Sequence, residues 1–186
     1  MPSYIYTPSP DYINNLKFDY LETWSFQRGQ EFDERRKASL LEYNELNRRK
    51  QGIDASNAID KARLTTFIEG LNCQQKLIVE NGRFHPKSQK INTFISTEPE
   101  AERLRSILRT EIFDVPIWMC APFYRDAIVF YNGNNEIVST LNVCLSCEYM
   151  QTDSFHFINA DAKTYKLLYD FFREIGHMVE ETSNRR

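Results

Sequence analysis

The sequence predicts an α+β protein, with a helical N-terminal part followed by a mostly antiparallel sheet and its covering helices. Three observations carry this. Residues 30–51 are an uninterrupted run of helix-favouring side chains without Gly, Pro or Val. Residues 124–148 are rich in aromatic and β-branched side chains and are broken by Asn132-Gly133-Asn134-Asn135, residues suited to a hairpin turn. Residues 160–175 place Tyr165, Leu168, Tyr169, Phe172 and Ile175 at helical spacing. The expected organisation is an N-terminal arm and helical hairpin over 1–72 and an α+β core over 73–186, packed as one unit.

In chain order, residues 1–15 carry three prolines and little periodicity, which predicts an extended arm. Leu16, Tyr20, Leu21 and Trp24 fit a helical stripe, so a short helix is expected there. In the helix over 30–51, acidic residues lead and Arg48, Arg49 and Lys50 trail, the order that complements the helix dipole. Gly52 stands where a terminating glycine belongs. A second helix is expected over 54–71, with a short strand at Leu77, Ile78 and Val79 before the Asn81-Gly82 turn.

Residues 90–97 alternate as a strand and lead into Thr97-Glu98-Pro99-Glu100, which has the form of a capping box with proline in the first turn. A helix follows to about residue 112. Strands are expected over 117–120, 124–131, 136–148 and 154–158, and the final helix runs from Asn159 or Asp161 to Gly176.

The totals bound the function. At 186 residues the chain can build one good core and is short for two independent domains. The formal net charge of -3 gives no support to nucleic-acid binding, which draws on a basic surplus. Six glycines argue against phosphate-cradling loops, and no nucleophile elbow, P-loop or metalloprotease motif occurs. The first fifteen residues lack the basic and apolar regions of a secretory signal, and apolar runs are only a few residues long. A cytoplasmic protein that does not cross a membrane, with mostly reduced cysteines, is the expectation.

Chemistry concentrates in residues 116–157, where Cys144-Leu145-Ser146-Cys147 is the one motif with chemical content. A thioredoxin-like pair needs its first cysteine at a helix N-terminus, whereas this pair follows a strand. A zinc site needs four ligands, so Cys120 and His156 would complete a Cys3His set with Cys144 and Cys147. The plainer reading is packing: buried cysteine behaves as a small hydrophobe. Strand parity points the two sulfurs to opposite faces unless the strand breaks at Leu145-Ser146, and a straight strand is expected. Cys144 or Cys147 with His156 and Asp161 is a weaker Cys-His-Asp constellation. Arg125 and Asp126 read as a local ion pair at a sheet end, and His177 as a cation at a helix C-terminus.

Cys120, Pro122 and Arg125, the Ala-Ile-Val-Phe strand at 127–130, a turn, and Val143-Cys144-Leu145-Ser146-Cys147 together resemble a pattern in small uncharacterised bacterial proteins. Those carry a cysteine, a nearby Pro and Arg, a hairpin and a Cys-(aromatic or Leu)-x-Cys, then a C-terminal helix ending in Gly. The resemblance covers 116–177 and not the N-terminal helices, and Leu145 stands where an aromatic often sits. It implies a shape and no chemistry, and it implies that Cys120, Arg125, Cys144 and Cys147 form one local unit.

The function expected is non-enzymatic: a binding protein that docks an unidentified partner protein through Tyr and Phe anchors, in its narrowest form a toxin-neutralising, immunity-type protein. The alternative is a zinc-binding or thiol-redox protein that uses Cys120, Cys144, Cys147 and His156. No catalytic residue is assigned, and the oligomeric state is left open.

Overall fold

The computed structural model describes residues 5–51, 75–79, 82–116, 122–152 and 156–179, and its first regular element is a strand. In chain order the elements are β1 Ile5–Pro8, α1 Ser9–Asn15, β2 Tyr20–Phe26, α2 Gln30–Gln51, β3 Ser88–Ile95, α3 Pro99–Leu108, β4 Asp126–Tyr131, β5 Ile137–Cys144, β6 Tyr149–Gln151, β7 His156–Asn159 and α4 Ala162–Glu174. The chain divides into two compact units, Met1–Phe26 with Gln75–Arg186, and Gln27–Gln74.

The helical N-terminal part is therefore corrected. Strands begin at Ile5, and both β1 and β2 belong to the sheet. The physical reason lies in where β2 sits. It runs between β3 and β4 and buries side chains on both faces, so its apolar residues crowd consecutive positions instead of alternating. That crowding mimics a helical stripe. The proline-rich start was misread for another reason: β1 is ordered by parallel pairing with β7, near the opposite end of the chain, and Pro10 opens α1 rather than preventing it.

The sheet has seven strands in the order β1-β7-β6-β5-β4-β2-β3. It is mixed, because β1 and β7 are parallel while the other neighbours are antiparallel. Among the described residues no helix is long and apolar enough to cross a membrane.

Turn chemistry fixes the central hairpin. The Asn132 side-chain oxygen accepts from the backbone N–H groups of Asn134 and Glu136, and Asn135 adopts φ 63°. β5 does not run straight to Glu148. It stops at Cys144, residues 145–148 reverse the chain, and β6 returns antiparallel with Tyr149 opposite Cys144.

Helices α1, α3 and α4 share one face of the sheet. Tyr12, Ile13, Leu104, Leu108, Leu168, Phe171 and Phe172 pack there with Leu21, Ile128, Phe130, Leu141 and Val143. Each large side chain so buried is worth roughly 1.5–3 kcal/mol. Helix α3 starts after Glu98 rather than Thr97, and the Glu98 carboxylate accepts from the N–H of Ile95. Helix α4 is capped by Asp161, whose side chain accepts from the Lys163 N–H at 2.8 Å.

In the second unit α2 has the bounds its composition predicts. The expected helix over 54–71, the strand over 117–120 and Cys120 itself lie outside the described residues.

Candidate functional site at the hairpin of β5 and β6 and the edge strand β1

The sheet face opposite the helices carries most of the polar chemistry. Phe26, Leu77, Tyr124, Ala127, Val129, Tyr131, Cys144 and Cys147 form its buried cluster. Glu22 is set into it: one carboxylate oxygen accepts from the Tyr131 hydroxyl at 3.0 Å and from Trp24 Nε1 at 3.1 Å, and the other meets Lys90 Nζ at 2.8 Å. Burial, and next the bond to Glu22, push the Tyr131 phenol well above its ordinary range, so it stays a donor. Tyr124 is likewise raised by burial and donates to Gln151 Oε1 at 2.8 Å. Asn142 closes this network by donating to the Gln151 carbonyl and accepting from the Leu77 N–H.

Both cysteines of the CxxC motif lie on this face. The reversal over 145–148, helped by Glu148 at φ 52°, cancels the parity that a continuous strand would impose. The sulfurs are not equivalent. Cys144 is free and 1% exposed, while Cys147 is disulfide-bonded. Against the expectation of mostly reduced cysteines, Cys147 is the one described cysteine that is oxidised. Its bonding partner lies outside the described residues.

Of the Cys3His set, Cys120 lies outside the described residues, and the other three are not brought together. His156 shares strand parity with Ile158, which packs against the helices, whereas Cys144 belongs to the opposite face. His156 Nε2 is instead 2.6 Å from the Thr7 hydroxyl on β1. A disulfide sulfur at Cys147 is no thiolate ligand either. Among the described residues no group of three or more His, Cys, Asp or Glu side chains stands ready for a metal ion. The Cys-His-Asp constellation fails on the same separation. Asp161 spends its carboxylate on the N–H groups of Lys163, Phe113 and Asp114, which hold it below the usual carboxylate range.

Arg125 and Asp126 also part company. The Arg125 guanidinium lies over the Phe123 ring, 4.9 Å from its centroid. Asp126 turns to the helix side and meets His177. That buried pair is missed from the sequence, which reads His177 as a cation at a helix C-terminus. A signal was present: in a Schellman ending, the residue after the glycine folds back onto the last turn. The N–H of His177 indeed bonds the Phe172 carbonyl, and that of Gly176 bonds the Arg173 carbonyl.

Among the described residues, an accessible part of the opposite face lies at the β1 end of the sheet. Tyr6 stacks on Phe157 with centroids 5.4 Å apart, and Tyr149 meets Phe157 edge-on at 6.3 Å. Tyr6 is 61% exposed and its neighbour Ile5 is 54% exposed. Strand β1 ends the sheet and carries no charged side chain. The other end, β3, carries Lys90, and the pairing of β2 with it is broken by a bulge, two devices that discourage strand addition. The two edges are thus protected unequally.

Comparison with protein-family models, with curated proteins and with solved structures finds no match to this chain.

Proposed function

We propose that the protein is a non-enzymatic binding protein that docks a partner protein along β1, with Tyr6, Phe157 and Tyr149 as the anchoring surface. One observation carries this reading: an uncharged edge strand exposes Ile5 and Tyr6, and the Tyr6 ring stacks on Phe157, which Tyr149 meets edge-on. An extended segment of the partner adds to the sheet through the outer backbone groups of β1, and its side chains pack on the rings. Pairing stops at Pro8, which has no N–H to give. The narrower version is a toxin-neutralising, immunity-type protein, whose partner is a single toxin bound one to one.

The test uses the full chain as bait in extract of its source organism, beside Tyr6→Lys and Ile5→Lys variants. These sites are exposed, so the variants keep the fold, as circular dichroism checks. The expected result is one stoichiometric partner that wild type retains and both variants lose. Recovery of no stoichiometric partner, or equal recovery by the variants, refutes docking at this edge.

A further inference from the structure

We propose that a second copy of this chain pairs with β1 through its own β1, antiparallel about a two-fold axis at Tyr6, and that this weak dimer closes the docking edge. Competition between the second copy and the partner protein rests on the reading above; the dimer itself rests on the edge strand alone.

Strand β1 is a prepared template. It is held in register along its inner side, with Ile5 to Pro8 beside His156 to Asn159. The Thr7 hydroxyl meets His156 Nε2 at 2.6 Å, and the Tyr6 ring lies against Phe157. A strand fixed on one side presents a row of N–H and C=O groups on the other, and a further strand satisfies them. Ile5 and Tyr6 are 54% and 61% exposed, so both side chains are open to a second chain.

Symmetry selects the occupant. A two-fold axis pairs a strand with itself and brings like charges together, and Ile5-Tyr6-Thr7-Pro8 has no charge to oppose this. An axis at Tyr6 sets Tyr6 against Tyr6 of the second copy and Ile5 against Thr7, an aromatic pair with an apolar–hydroxyl pair on each side. Pro8, which has no N–H, falls at the end of the paired stretch. The other edge takes no part: β3 carries Lys90, and a bulge between Thr23 and Trp24 interrupts its pairing with β2. One edge used twice gives a closed pair and no fibre. A strand of four residues with its rings buries far less than the roughly 1,200–2,000 Å² of a stable interface. The dimer is therefore reversible, and a partner that makes further contacts displaces it.

The experiment is sedimentation velocity on the full chain from about 1 μM to about 1 mM, the range of weak association. Non-reducing electrophoresis separates out any disulfide-linked species, and circular dichroism checks that each variant folds. The expected result is a reversible shift from monomer to dimer as concentration rises, with no larger species. Tyr6→Lys and Ile5→Lys stay monomeric at every concentration. Ile95→Lys, on the other edge strand and 55% exposed, dimerises as wild type does. A wild-type monomer throughout, or a dimer that Tyr6→Lys keeps, overturns the proposal; if that wild-type monomer still captures its partner through Tyr6, the docking reading survives. A wild-type dimer lost in Tyr6→Lys, from a chain that captures no partner, upholds the dimer and refutes the docking reading.

Discussion

His177 Nδ1 lies 2.8 Å from Asp126 Oδ1, with the two side chains 0% and 1% exposed. The carboxylate can only accept, so Nδ1 donates, and the ring also packs on Phe172 with centroids 4.7 Å apart. The pair ties the chain leaving α4 to the first residue of β4, in the middle of the sheet. No substrate reaches it; its role is structural.

Asp126→Ala therefore removes the acceptor from a sealed donor, and a loss of about 2–3 kcal/mol is expected, at the upper end for a buried donor left unsatisfied. Asp126→Asn keeps an oxygen at the same place and should cost less, about 1–2 kcal/mol. Urea unfolding of the two variants beside wild type measures both. Equal midpoints for Asp126→Ala and wild type contradict the assignment.

Gly176 places His177 in that position. Its φ of 94° lies in the left-handed region, and a Cβ built there meets only Ile91 Cγ2, at 4.0 Å. Space is therefore not the constraint; backbone conformation is. Gly176→Ala is expected to lose about 1–2 kcal/mol with an unchanged circular dichroism spectrum. A neutral result shows that the Schellman ending does not need glycine.

Local signals were legible where neighbours in sequence decide the structure. The Asn132 turn, Asp161 before α4, the run of α2 and Gly176 are all of this kind. What failed depends on partners remote in the chain. β2 looked helical because it is a central strand clothed on both faces, and β1 looked like an arm because its partner is β7. The hairpin of β5 and β6 lies within the stretch 116–157 that the sequence singles out, but its geometry was not legible there. Parity is reliable only while a strand continues, and Leu145-Ser146 carries no Gly, Pro or Asn to announce the reversal. Tyr6 was invisible as part of the site, since only the β1–β7 pairing sets it on Phe157.

Tyr131 offers a test of the polar face. Its hydroxyl donates to Glu22, which also holds Trp24 and Lys90, so the carboxylate keeps two donors in Tyr131→Phe. The loss should be modest, about 1–2 kcal/mol. Glu22→Leu strands the Tyr131 hydroxyl and the Trp24 N–H together and should cost more than Tyr131→Phe. If thermal melts rank the two in the opposite order, Glu22 is not the hub of this network.

His85 gives the fold an acid-sensitive contact. Its Nδ1 accepts from the Lys87 N–H at 3.2 Å, which places the ring proton on Nε2, 2.8 Å from Gln75 Oε1. The neutral ring is thus fully used, and burial lowers its pKa from 6.5. Because the unfolded chain binds the proton more readily, the contribution is complete above pH 6.5 and is lost as pH falls from there toward the folded-state value. His85→Gln cannot titrate in this range. Urea midpoints followed from neutral to mildly acidic pH should fall more steeply for wild type than for His85→Gln. Parallel curves mean that His85 does not carry the dependence.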